Sequence, residues 1–348
     1  MARFIKTLKK TALAASIASL ATVANATIVT SIKPLGFIAS SIADGVTDTE
    51  VLVPAGASPH DYSLKPSDIQ KLQRAELILW VGEDIDAFLD KTLRPMPFKK
   101  VLSIADFAEI GGLLEGEAHD HKHEHDHTHK HDHDHKHEHD HKHDHAHKHE
   151  HDHKHDHDHK HDHEHKHDHA HGHDHDHSTN WHVWYSPEIS KIVATRLATR
   201  LTEAYPEKKE KIAQNLAEFN RTLAEQSEKI KQQLAPVKEK GFYVFHDAYS
   251  YFNNAYGLKQ TGYFTINPLV APGAKTLAKI KQEIKEHKVN CLFAEPQFTP
   301  KVIESLSKGT GVHVGRLDPM GDAVKLGVNS YANFLQYTAD SYFACLSK

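Results

Sequence analysis

PEKKEKIAQNLAEFNRTLAEQSEKIKQQL, residues Pro206–Leu234, is the stretch on which the fold turns. Proline opens it at a position where a missing N–H costs a helix nothing. Ile212, Leu216, Phe219, Leu223 and Ile230 then recur at helical spacing. The pattern predicts one helix of about 28 residues, ~42 Å long at ~1.5 Å per residue. Most of its surface is polar, so it reads as a strut crossing between two domains rather than as part of one packed core.

The sequence on either side of this helix alternates between strand and helix patterns. Before it, apolar runs at Thr27–Ile32, Glu50–Val53, Leu77–Val81 and near Val101 are separated by helices starting near Leu35, Pro66 and Asp84. Pro187 opens a further helix that reaches Ala204. After it, strands are predicted at Phe242–Phe245, near Tyr263, at Cys291–Ala294 and at Val312–Leu317. Helices fall at Ala248–Gly257, Thr276–His287, from Pro300, and at Ser330–Leu346. The fold class is therefore α/β: two similar alternating β/α domains joined by one long α-helix. The divisions are an N-terminal domain at 27–205, a linking helix at 206–235 and a C-terminal domain at 236–348.

Two segments stand outside this alternation. Arg3, Lys6, Lys9 and Lys10 precede an apolar run from Thr11 to Val23, and Ala24, Asn25 and Ala26 follow. This is the pattern of a cleavable secretory signal peptide (1–26), which predicts an exported protein with Thr27 as its first mature residue. No cysteine near the cleavage site offers a lipid anchor, and no later segment has the ~18 apolar residues of a membrane helix, so a freely diffusing periplasmic monomer without membrane insertion is expected.

From His119 to His177 every odd-numbered residue is histidine, and nearly all the intervening ones are Asp, Glu or Lys. Such a tract buries too little apolar surface to offset the entropy of ordering it, which predicts a disordered loop. Imidazole is mostly neutral near pH 7 and is a common ligand for first-row metals, so the loop reads as a collector of metal. It carries 17 acids and 8 lysines, more than the whole chain's net charge of −5. The remainder is near neutral, and nothing in it suggests nucleic acid as a partner.

Outside the tract, five histidines remain. His60, His182 and His246 lie in loops beside strands, flanked by aromatics or by Pro and Gly, where open α/β domains place their ligands. His287 ends a Lys-rich helix and His313 sits in a short apolar strand, and both read as structural. Three imidazoles make an incomplete tetrahedral set for zinc(II). Of the nearby carboxylates Asp61, Asp247, Glu295 and Asp318, the last follows a strand end and is the candidate fourth ligand. The others read as ordinary polar partners. No HExxH run or Ser or Cys nucleophile setting appears, so an enzyme is not expected. The two cysteines, Cys291 and Cys345, are expected to pair in an oxidising compartment, with a thiolate metal pair as the alternative.

The runs GASPHDYSLKPSD around His60, WHVWYSP around His182, VFHDAYSYF around His246, CLFAEPQF from Cys291 and GRLDPMGD around Asp318 closely resemble the zinc-binding proteins of bacterial high-affinity zinc ABC transporters. The resemblance covers the whole mature chain, and a His-rich charged loop between the first two motifs is typical of that group. It implies a solute-binding protein that holds zinc in a cleft between two domains and delivers it to an inner-membrane permease. His60 and His182 would come from the first domain and His246 from the second. Manganese-binding relatives carry a carboxylate in place of His246 and use an aspartate matching Asp318, so imidazole at 246 favours zinc. Pro59 stands where some zinc-binding members have a glutamate, which leaves the fourth position between water and Asp318. The alternative reading is a stand-alone periplasmic metal store or a metal-dependent adhesin whose business is the tract itself.

Overall fold

The computed structural model describes residues 27–116, 179–298, 301–308 and 310–348; the expected signal peptide and the His-rich tract lie outside the described residues. The first half runs β1 (Thr27–Thr30), α1 (Lys33–Ile42), β2 (Asp48–Val51), α2 (Pro66–Arg74), β3 (Leu77–Trp80), α3 (Glu83–Leu93) and β4 (Val101–Ser103). A short antiparallel pair, β5 (Glu115–Gly116) with β6 (Thr179–Asn180), flanks the tract, and α4 (Pro187–Ala204) and α5 (Lys209–Leu234) follow. The second half runs β7 (Phe242–His246), α6 (Ser250–Tyr256), β8 (Gly262–Thr265), α7 (Ala274–Lys285), β9 (Cys291–Ala294), α8 (Lys301–Ser307), β10 (His313–Arg316) and α9 (Ser330–Leu346).

Each half forms a four-stranded, all-parallel sheet. Their orders, β2-β1-β3-β4 and β10-β9-β7-β8, are the same once the second is counted from its own first strand. The central strands β3 and β7 are buried along their whole length, as strands covered by helices on both faces must be. The predicted alternation is therefore the observed architecture: an α/β fold with two parallel-sheet domains.

The long helix departs from the expected strut. Pro206–Lys208 forms a separate 3₁₀ turn, and α5 spans 26 residues. Its Ile212, Phe219, Leu223, Ile230 and Leu234 are buried. It lies against α1 and α4 from the first half and α6 and α9 from the second, and Phe219 stacks on Tyr331 with ring centroids 5.6 Å apart. A helix needs only one apolar stripe to be a core element, and this one has it; polarity elsewhere marks the solvent face. Buried Asn215 ties the helix down further, donating to the carbonyls of Ile42 and Asp44 at 2.9 and 2.8 Å.

Local chemistry sets the boundaries. Proline stands in the first turn of α1, α2 and α4, and Ser186 Oγ caps α4 by accepting the Ile189 N–H at 3.2 Å. The turn from Asp318 to Gly321 needs its glycine twice over: φ is +63°, and a Cβ there would stand 2.6 Å from Phe334 and 2.9 Å from Phe37. His313 is exposed rather than enclosed, because β10 is an edge strand, and His287 is exposed with φ +58° just past the end of α7.

Cys291 at the start of β9 and Cys345 in the last turn of α9 form a disulfide across 54 residues, which pins the terminal helix to the second sheet. Closing a loop of this length removes chain entropy worth about 4 kcal/mol from the unfolded state. Replacing both cysteines with serine is predicted to lower unfolding stability by about that amount while leaving the zinc-free fold intact. Urea titration of the two proteins checks this; equal midpoints contradict it.

Candidate metal centre

Three loops deliver the site. β2 feeds a loop in which Ser58 caps a single 3₁₀ turn, Pro59–Asp61, its Oγ accepting the His60 N–H at 3.3 Å. β6 places His182 immediately before the turn Val183–Tyr185. His246 is the last residue of β7, so its ring leaves the sheet at the carboxyl end of a central strand. Among the described residues, His60, His182 and His246 form the group that could hold a metal ion, with one ligand nitrogen from each lying within 4.8 Å of the others. His287 and His313 are not part of it.

The orientation of two rings is fixed from behind. His182 Nδ1 lies 2.8 Å from Asn180 Oδ1, and the Asn180 amide is itself oriented, since its Nδ2 donates to the Asp247 carbonyl at 2.8 Å. Nδ1 of His182 must therefore carry the proton. His246 Nδ1 lies 2.7 Å from each oxygen of Glu295, which also accepts the Tyr249 hydroxyl at 3.0 Å. A carboxylate only accepts, so this Nδ1 is protonated too. The two Nε2 atoms face each other across 3.2 Å, where one proton or one metal ion can be shared between them. A metal ion placed there would draw on both nitrogens at once. The separation matches the ~3.3 Å edge of a tetrahedron built on Zn–N bonds of about 2.0–2.1 Å.

The surroundings of His60 and His182 favour their neutral forms. Burial first, and His246 second, hold His60 down to about 4 from an ordinary value near 6.5. Burial pushes His182 well below its usual range, with His246 and His60 adding to the effect. The edge of Trp184 meets the His182 ring at 5.1 Å, and its indole N–H is satisfied by the Pro319 carbonyl at 3.1 Å. A cavity of about 10 Å³, room for one water-sized sphere, lies among the three histidines. The arrangement offers neutral nitrogen donors to a small borderline cation, and the buried Glu295 supplies negative charge behind them.

Asp318 lies outside the group of three. Its carboxylate accepts the N–H groups of Met320 and Asp322 at 3.0 and 2.7 Å and the Gln297 amide at 2.9 Å. Asp247 follows His246 and accepts the Gln260 amide at 3.2 Å. Sequence reasoning ranked Glu295 with the ordinary polar partners and did not single out Asn180. The signal for Glu295 was present, as the acid that ends the apolar run of β9. For Asn180 there was only its place two residues before a ligand.

Comparison with known proteins was made on the whole chain. Residues 28–345 match the family model described as zinc-uptake complex component A, periplasmic. The chain is 68% identical to a high-affinity zinc uptake system protein of Haemophilus influenzae, over 99% of both chains, and 53% identical to one of Haemophilus ducreyi, over 98% of this chain and 99% of that one. A solved zinc-bound protein of the same kind, carrying a 138–173 deletion, superposes with a TM-score of 0.65 at 22% identity, over 93% of this chain and 98% of that one.

The two depressed histidines give a signed pH prediction. In the unfolded chain they protonate near 6.5; in the folded zinc-free protein His60 does so only near 4 and His182 well below its usual range, so the stability they contribute is full above about 6.5 and is lost as pH falls from there. Buried Asp86, raised to about 7 by desolvation, acts in the opposite direction over the same range. The readout is therefore the difference between the native chain and a His60→Gln/His182→Gln variant. The native chain's midpoint is predicted to fall more steeply between pH 6.5 and 5 in urea titrations; parallel profiles contradict the assignment.

Proposed function

The chain belongs to the family of the periplasmic zinc-uptake complex component A, and from that premise we propose that it captures zinc(II) in the cleft between its two sheet domains and hands it to the membrane permease of an ABC transporter. The family is one of metal-binding transport components, not of enzymes. The observation that carries the ligand assignment is the pair of Nε2 atoms held face to face at 3.2 Å, with His60 closing the third side. Neutral nitrogen donors suit zinc better than manganese, for which a hard carboxylate would be expected in one of these positions.

Capture follows from preorganisation. The hydrogen bonds that Asn180 and Glu295 accept set the His182 and His246 rings before the ion arrives, so little ordering entropy is lost on binding. Release needs the donors to separate. His246 belongs to the second half, while His60 and His182 belong to the first. With α5 packed laterally on helices of both halves, a small tilt and a loop movement at 58–61 are the motions this fold allows. A cleavable signal peptide at 1–26 would deliver the protein to the periplasm, in keeping with its family, and there the ion would be met and passed on.

The His-rich tract is proposed to collect zinc and buffer its supply. Each site formed there must order several flexible residues, at ~1 to 2 kcal/mol per residue, which keeps its affinity below that of the preset cage. The strands on either side of residues 117–178 are paired, Gly116↔Thr179 and Glu115↔Asn180, so a short connection between them would leave the site undisturbed.

A chain lacking residues 119–177 is thus predicted to fold and to keep one tight zinc site. In that chain His60→Ala, His182→Ala or His246→Ala is predicted to weaken zinc binding by orders of magnitude and His287→Ala not at all. Glu295→Gln should cost roughly 10–100-fold through the orientation of His246. Competition against a chromophoric chelator reads all five. Loss of the tight site on tract removal alone would make the tract the primary site and overturn the reading.

A further inference from the structure

Gln297 lines the same cavity as the three histidines. Its amide has one orientation available: Nε2 donates to Asp318 Oδ1 at 2.9 Å and lies 3.5 Å from Asp322 Oδ2, so the reversed amide would set its oxygen against two carboxylates. Those carboxylates are themselves fixed. Asp318 is held by the N–H groups of Met320 and Asp322, and Asp322 Oδ2 accepts the Gly56 N–H at 2.7 Å. Gln297 Oε1 is thereby turned away from them, and it is buried with no hydrogen-bond partner among the described residues. An oriented, buried acceptor in the cavity lined by the three histidines needs a donor to complete it.

We propose that Gln297 Oε1 accepts a hydrogen bond from the water that fills zinc's fourth position, with Asp318 acting through the Gln297 amide rather than on the metal. The inference rests on the three-histidine zinc reading. Three imidazoles leave one tetrahedral position to solvent, and water on zinc is a far stronger hydrogen-bond donor than free water. A neutral amide accepts that bond without adding a charge. The chain Asp318 carboxylate, Gln297 amide N–H, Gln297 carbonyl, water polarises in one direction, each link strengthening the next. Asp318 then contributes to zinc affinity without being a ligand, and Gln297 is a positioning residue for the water.

The test uses the full chain at pH 5.5, where imidazoles with ordinary values near ~6.5 are about nine-tenths protonated and the tract competes weakly. Gln297→Met keeps length and removes the acceptor; Gln297→Asn, which retracts the oxygen, serves as the second variant should the first fail to fold by circular dichroism. The expected result is a zinc affinity lowered by roughly 10–100-fold in chelator competition, together with a changed visible d–d spectrum at one equivalent of cobalt(II). Unchanged affinity and spectrum would overturn the role of Gln297 and leave the three histidines standing. Reduced affinity with the native cobalt spectrum would make Gln297 merely structural and also overturn it. Absence of a tight ion in the native chain at this pH would instead sink the zinc reading beneath it.

Discussion

Two imidazole nitrogens held face to face 3.2 Å apart, one from each half of the chain, are the arrangement on which the site depends. The force that maintains it comes from the other side of each ring. Asn180 and Glu295 fix which nitrogen carries the proton and where the ring points, and both are buried. Glu295 is the more costly of the two, a carboxylate taken out of water whose partners here are an imidazole and a tyrosine hydroxyl. A dipositive ion at the cage turns that cost into attraction. The site is best described as a protein prepared for a charge, and its own stability is part of what binding restores.

The scaffold explains how three loops from distant parts of the chain meet. Two sheets with the same strand order each send loops from their carboxyl ends, and helices α1, α4, α5 and α9 pack into a shared layer. Asn180 adds a direct tie across the halves: one carboxamide orients His182 and donates to the carbonyl of Asp247, the residue after His246. Histidines from the two halves are thus registered to each other by a single side chain as well as by the packed helices. The same residue pairs with Glu115 in the short antiparallel ladder of β5 and β6.

Much of this was legible in the sequence. The alternation of apolar runs and helical periods gave both sheets, and the limits of β9, α4 and α9 coincide with the predicted ones because proline, cysteine and buried apolar runs mark them. His60, His182 and His246 stood out from His287 and His313 by their loop settings before any coordinates. The packing of α5 was misjudged because its polar residues outnumber a stripe that suffices for burial. His313 was read as lying in a short apolar strand, and period and apolarity cannot tell that this is an exposed edge strand. The roles of Asn180 and Gln297 were not legible, since each depends on which atom of an amide faces which partner. Order along the chain records none of that.

The central claim is that an oriented three-histidine cage, and not the histidine tract, is the primary zinc site. It is tested most directly by anomalous diffraction at the zinc edge on crystals of the full chain loaded with one equivalent of zinc. The account predicts one strong peak within about 2.0–2.1 Å of a nitrogen from each of His60, His182 and His246. A first equivalent found elsewhere, with the cage histidines still facing one another without an ion, would contradict it.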